Sequence, residues 1–247
     1  MISRVIHYCW FSNEPFPPLI LKCIESWKKY LPEYEFKLWN YETFPKGKSI
    51  WVDEAIDAGK YAFAADYIRA YALYTEGGIY LDSDVEVLKS FDDLLHLPYF
   101  IGKENGGLIE AAVMGSEKGN QLFKHLLNYY DEKKHFKNVS GELNITALPK
   151  IIMDIINNYF VSTYVNSVDY IYDDKTKCFI LPWDYFSPKA KNGKISISQN
   201  TYTIHHFNGG WLTPYQRFKK MIIKLLGPSM TNLIVQIKTK LFKRNKI

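Results

Sequence analysis

The stretch Gly77-Gly78-Ile79-Tyr80-Leu81-Asp82-Ser83-Asp84 restricts this chain more than any other. Three apolar residues are too few for a helix; opened by two glycines and closed by two carboxylates, they read as a buried strand. Carboxylates are costly inside an apolar layer, so such a strand has to end where they meet solvent or a cation. Ligands of open α/β sheets bind beyond the carboxyl ends of the strands, and Asp82 and Asp84 fall at such an end. Two like charges one residue apart favour a divalent cation. Oxygen ligands of this kind suit Mg2+ or Mn2+, which keep several waters and bind substrate phosphates.

The neighbouring sequence supplies the sheet this strand needs. The apolar run 4–11 predicts a first strand, and Pro15, Pro17 and Pro18 break the chain before an amphipathic helix over 19–30. A strand over 34–39, helices over 50–59 and 61–75, the strand 79–81 and a β stretch at 85–88 follow. This alternation predicts an α/β sheet with helical crossovers. Further on, strands at 98–102 and 108–114 and helices at 120–134 and 146–159 are expected. Short β segments near Tyr170, at 178–181 and at 201–207 are expected to complete the sheet. One domain over 1–213 with a tail over 214–247 is the expected organisation.

Composition narrows the class. With 47% hydrophobic, 23% charged and 16% aromatic residues, the chain is neither disordered nor a disulfide scaffold. Cys9, Cys23 and Cys178 are far apart without zinc spacing, and read as buried small hydrophobes in a reducing compartment. The first eleven residues lack the pattern of a signal peptide and no run is long enough to span a bilayer. A cytoplasmic protein is therefore expected. The formal net charge of +5 is unevenly placed: residues 215–247 hold basic side chains and no acidic one, which leaves a mildly acidic body. Nucleic acid calls for basic residues over the folded face, so no nucleic-acid partner is expected. The tail reads as two basic amphipathic helices that suit an anionic membrane surface, peripherally on the inner face of the cell membrane.

Asp66 and Arg69, in Ala65-Asp66-Tyr-Ile-Arg69-Ala-Tyr-Ala-Leu-Tyr74, share one face of the helix expected over 61–75. Among alanines and aromatics such a pair is costly unless it ties the helix to the sheet or binds ligand. These residues, with Ile6-His-Tyr-Cys-Trp10-Phe11, Pro32-Glu-Tyr-Glu-Phe-Lys-Leu-Trp39-Asn40, Gly77 to Asp84 and His205-His206-Phe-Asn-Gly-Gly-Trp211, resemble the DXD glycosyltransferases of the sugar-binding-region type. Bacterial capsular polysaccharide transferases and fungal Golgi initiating mannosyltransferases belong to that group, and the glucosylating domains of large clostridial toxins are distant relatives. The resemblance covers residues 5–211.

The resemblance implies a GT-A fold, a nucleotide-sugar donor, a divalent metal and retention at the anomeric carbon. It implies that Trp10 stacks near the base, that Asp66 and Arg69 contact ribose, sugar and diphosphate, and that Asp82 contacts the donor sugar and ribose. Asp84 is the implied direct metal ligand, with Asp82 beside it, and Trp211 a donor contact. His206, favoured over His205, is the candidate metal or phosphate partner. Where relatives often have Gly-Ser-Trp this chain has Gly209-Gly210-Trp211, so a hydroxyl is missing from that loop. The expected activity is transfer of a hexose, from a UDP-sugar or GDP-sugar, to a saccharide or lipid-linked oligosaccharide in bacterial surface polysaccharide synthesis. Asp82, Asp84 and Arg69 are expected to serve catalysis. No carboxylate stands out as a nucleophile, which favours front-face attack.

Two other classes compete. An Asp-x-Asp phosphotransferase of the haloacid-dehalogenase type wants Thr or Val two residues past the second Asp, where this chain has Glu86. A non-catalytic carbohydrate- or membrane-binding module would use the aromatics and the tail, and would not turn over nucleotide sugar.

Overall fold

The computed structural model describes residues 1–12, 14–189 and 194–208. The central sheet has five strands in the order β2-β1-β3-β6-β5. These are β1 (Val5–Cys9), β2 (Glu35–Trp39), β3 (Gly78–Leu81), β5 (Tyr99–Lys103) and β6 (Ile109–Ser116). Strands β1, β2 and β3 run parallel, while β6 pairs antiparallel with both β3 and β5. The sheet is thus mixed α/β, as expected of the resemblance. Strands β3 and β6 are buried on both faces, which explains why neither alternates in polarity.

Helices cover the sheet. Helix α1 (Pro18–Tyr30) starts on Pro18 after the extended Pro17 and buries Ile20, Cys23 and Trp27. Helix α2 (Ile50–Asp57) is capped by Ser49. Helix α3 (Tyr61–Thr75) buries residues on almost every side. Its alanines let neighbouring elements approach closely, and its buried Asp66 and Arg69 are exceptions that need partners. Helix α4 (Gln121–Lys133) and helix α5 (Leu148–Tyr159) follow.

Part of the second half departs from expectation. Val168–Tyr170 is a single 3-10 turn rather than a strand. Strand β8 (Lys177–Ile180) pairs in parallel with β7 (Val161–Tyr164), and β9 (Thr203–His205) pairs with β4 (Val85–Val87). Strand β9 forms a two-stranded sheet with β4 and β8 one with β7, but the residue after β8 reaches the central sheet: the Leu181 N–H donates to the Ile101 carbonyl and the Lys103 N–H to the Leu181 carbonyl, at the β5 edge. For β9 the physical reason is the turn after Leu81, which takes the chain out of the central sheet before β4, the partner of β9, begins. The outer side of β4 is sealed by α1, where Trp27 Nε1 donates to the Val85 carbonyl and the Val87 N–H donates to Ser26 Oγ.

Beneath β3 lies a buried polar link. Fully buried His7 donates from Nε2 to the Gly77 carbonyl at 2.7 Å and accepts from Trp39 Nε1 at Nδ1. Burial holds its pKa below the ordinary histidine value, so the ring is neutral and structural. The three cysteines are buried and unpaired, as expected, and burial pushes the Cys9 thiol up to about 12. Among the described residues, no helix is long and apolar enough to cross a membrane.

Gly77 and Gly78 have φ of 73° and 98°. A Cβ on Gly78 would stand 2.8 Å from the Val5 carbonyl oxygen and 3.0 Å from His7 Nε2, whereas one on Gly59 (φ 66°) would meet nothing within 4 Å. Gly78→Ala is therefore expected to cost about 2–4 kcal/mol in urea unfolding, from backbone strain plus overpacking. Gly59→Ala should cost only the backbone part, about 1–2 kcal/mol. Equal losses at the two positions would show that close packing at Gly78 contributes nothing.

Candidate functional site

The site forms where β3 ends. The Asp82 N–H still donates to the Ala112 carbonyl of β6, so Asp82 stays tied to the central sheet. Two residues later Asp84 leads into β4, and its carbonyl accepts from the His206 N–H. The turn Asp82-Ser83-Asp84 therefore joins two sheets, with one carboxylate on each side of the join.

Arg69 stands beneath the pair. Its Nη2 lies 3.1 Å from Asp66 Oδ1 and 3.0 Å from Asp82 Oδ1, and its Nη1 donates to the Ala111 carbonyl. The guanidinium also sits over the Tyr80 ring, 4.5 Å from its centroid. With side-chain exposure of 5%, Arg69 spends its Nη hydrogen bonds on protein acceptors. It is the strut of the site, which binds helix α3 to the ends of β3 and β6. Burial pushes the Asp66 carboxyl up to about 7, with Arg69 opposing and Asp82 adding to the rise. Burial likewise raises Asp82, opposed by Arg69 and His205. Burial works against the charge on Arg69, but Asp82, Tyr80 and Asp66 more than offset it and raise its pKa.

Asp82, Asp84 and His205 bring one ligand atom each to within 4.8 Å of one another. Octahedral Mg2+ binds oxygen at about 2.0–2.1 Å, so adjacent ligands stand about 2.9 Å apart and opposite ones about 4.2 Å, and the three atoms would draw together around a bound ion. Two carboxylates and an imidazole are a donor set that fits Mn2+ better than Mg2+, which prefers oxygen ligands alone. His205 takes the place that the sequence favoured for His206. Its Nε2 is 3.5 Å from Asp84 Oδ1, whereas His206 Nε2 meets Glu86 Oε2 at 2.9 Å, where Lys22 also binds. Adjacent histidines on a strand point to opposite sides, and the register Val85↔His205 selects His205. Burial favours neutral His205, but Glu110 and Asp84 outweigh it and raise its pKa well above the ordinary value.

Trp10 follows β1 at the same edge, half-buried, with Nε1 donating to the Glu14 carbonyl and its ring against Phe16. Trp211 and the tail over 214–247 lie outside the described residues. The sequence reading missed Glu110, a fully buried carboxylate that meets His205, and Glu104, whose carboxyl burial pushes up to about 7 with help from Glu110. An acidic residue inside the apolar run of β6 was the signal for Glu110.

Residues 17–101 match the family model described as a glycosyltransferase sugar-binding region containing a DXD motif. It is 34% identical over 123 residues to inositol phosphoceramide mannosyltransferase 3 of Schizosaccharomyces pombe, which covers 48% of this chain and 34% of that protein. A glycosyltransferase of Acanthamoeba polyphaga mimivirus, L373, is 25% identical over 83% of this chain and 91% of its own length. The solved structure of the PaToxG glycosyltransferase is similar with a TM-score of 0.47 and 19% identity, over 64% of this chain and 69% of that one. The chain spans about a third of the length of the fungal mannosyltransferases it matches.

Removing the strut should be costly. Arg69→Ala leaves Asp66 and Asp82 without their cation, and a loss of about 3–5 kcal/mol is expected without added metal. The loss should be larger at pH 8 than at pH 6, because Asp66 takes up a proton at the lower pH and sheds its charge. Denaturant melts at both pH values check this; a loss below about 1 kcal/mol would contradict a buried charge network.

Proposed function

We propose that this chain is a metal-dependent glycosyltransferase that moves a hexose from a nucleoside-diphosphate sugar, UDP-sugar in the first instance, to a hydroxyl of a saccharide or lipid-borne acceptor. The observation that carries the reading is the Asp82–Asp84–His205 cluster at the strand edge, braced by Arg69, within a region of DXD glycosyltransferase type. Surface polysaccharide precursors and the inositol phosphoceramide named for the yeast relative share one acceptor chemistry, a hydroxyl carried near a membrane.

Asp84, Asp82 and His205 would hold a divalent cation, which when bound supplies positive charge to the leaving diphosphate. The chain's own residues do the positioning. Arg69 fixes the Asp82 carboxylate from below, and Trp10 offers an aromatic face at the same edge for a base. Asp66 and Glu110 are engaged by Arg69 and His205, which supports front-face attack with retention rather than a covalent glycosyl intermediate. Aligned donors at such a site are worth about 10²–10³ in rate each.

Donor hydrolysis and transfer, followed with a panel of nucleotide sugars, test this reading. Asp84→Asn should abolish both with the fold intact, EDTA should do the same to the natural chain, and Mn2+ should restore it. Trp10→Ala should raise the donor KM more than it lowers kcat, by about 1–3 kcal/mol of lost stacking. Full activity in chelator refutes the metal, and turnover of no nucleotide sugar returns the chain to a binding module.

The basic segment 215–247 supports a peripheral position on an anionic membrane, where such an acceptor would sit. The full chain should co-sediment with phosphatidylserine vesicles at low salt and leave them at high salt, and a chain ending at Pro214 should stay in solution. Equal binding by both chains would sink the membrane assignment.

A further inference from the structure

Glu110 is the least expected residue near the site. It lies in β6, a strand buried along its whole length, and its side chain is 1% exposed. Its Oε1 accepts from the Ala112 N–H at 3.0 Å and meets His205 Nδ1 at 3.1 Å. Its Oε2 is buried and has no hydrogen-bond partner among the described residues. A buried carboxylate left half-satisfied is a poor way to stabilise a core, since an apolar residue of similar volume would serve better. What it does accomplish is to orient an imidazole.

A histidine that gives Nδ1–H to a carboxylate is left with Nε2 for a ligand, and the acceptor behind the ring sets both its tautomer and its direction. That is the arrangement here. His205 Nδ1 faces Glu110 on the central sheet, and Nε2 faces Asp84 at 3.5 Å on the other side of the ring. The pairing of β9 with β4 fixes the His205 backbone beside Val85, but does not fix the ring. Stacking on Phe207, with centroids 3.8 Å apart, limits the ring plane, and Glu110 on one side and Asp84 on the other distinguish the two nitrogens.

We propose that Glu110 is a positioning residue for the cation site, holding His205 Nε2 toward Asp84 so that the imidazole completes the donor set. This rests on the metal reading above and extends it to a residue outside the DXD motif. A purely structural Glu110, one that locks β6 to β9, would affect melting without affecting cation affinity.

The test is Mn2+ binding to the full chain, read from the free-ion paramagnetic resonance signal with no donor present. Glu110→Gln keeps the shape but can turn its amide N–H toward Nδ1, and should raise the Mn2+ Kd about 10–100-fold. His205→Ala should also weaken binding, and adding Glu110→Gln to it should weaken binding no further. A Glu110→Gln chain that binds Mn2+ as tightly as the natural one, while Asp84→Asn loses it, overturns the positioning role alone. An undiminished effect of Glu110→Gln in the His205→Ala background overturns it too. A natural chain that binds no Mn2+ overturns the metal reading and this inference with it. Should Glu110→Gln fail to fold, Glu110→Asp carries the test: its carboxylate is one methylene short, and unaltered Mn2+ binding would refute the role.

Discussion

The guanidinium of Arg69 is the interaction on which the rest of the site depends. Four groups from three elements converge on it: Asp66 from its own helix, Asp82 and the Tyr80 ring from β3, and the Ala111 carbonyl from β6. A charge buried this deeply is tolerable only with such compensation. The arrangement works both ways, because Asp82 reaches the strand edge as a carboxylate already half-neutralised from within. Its remaining oxygen can then meet Asp84 without the full repulsion of two bare anions.

Around that centre the aromatic content acquires a use. Trp39 and Phe44 pack edge-on against Tyr67 and Tyr71 of α3, and Trp51 of α2, Tyr130 of α4 and Phe136 beyond α4 form a second group. Large flat side chains fill the space that small alanines leave, and they hold α3 in one orientation over the sheet. The charged pair is rigid because its helix has no room to shift.

How legible this was in the sequence depended on distance along the chain. The strands and helices up to Val87 were readable because each has a local signature: a proline start, a Ser cap, an apolar run closed by carboxylates. Asp66, Arg69, Asp82 and Asp84 also have local spacings, and the structure brings them to one strand edge. The errors were non-local. That β9 pairs with β4 and β8 with β7, with Leu181 reaching the β5 edge, is a matter of long-range pairing, which residue patterns near Cys178 or Thr203 do not encode. The choice between His205 and His206 needed the register of β9 on β4, since a slip of one residue exchanges the two faces. Glu110 escaped notice because its partner lies 95 residues away.

The join between Asp82 and Asp84 has a thermodynamic consequence. Asp82 belongs by its backbone to the large sheet, and Asp84 and His205 belong to the small one. A ligand gripped by all three is a cross-link between the two sheets, added to the packing of α1 that already joins them. Its binding energy is then felt as a penalty on parting the sheets, and by linkage anything that parts them weakens the ligand equally. The seam thereby couples occupancy of the site to the parting of the two sheets.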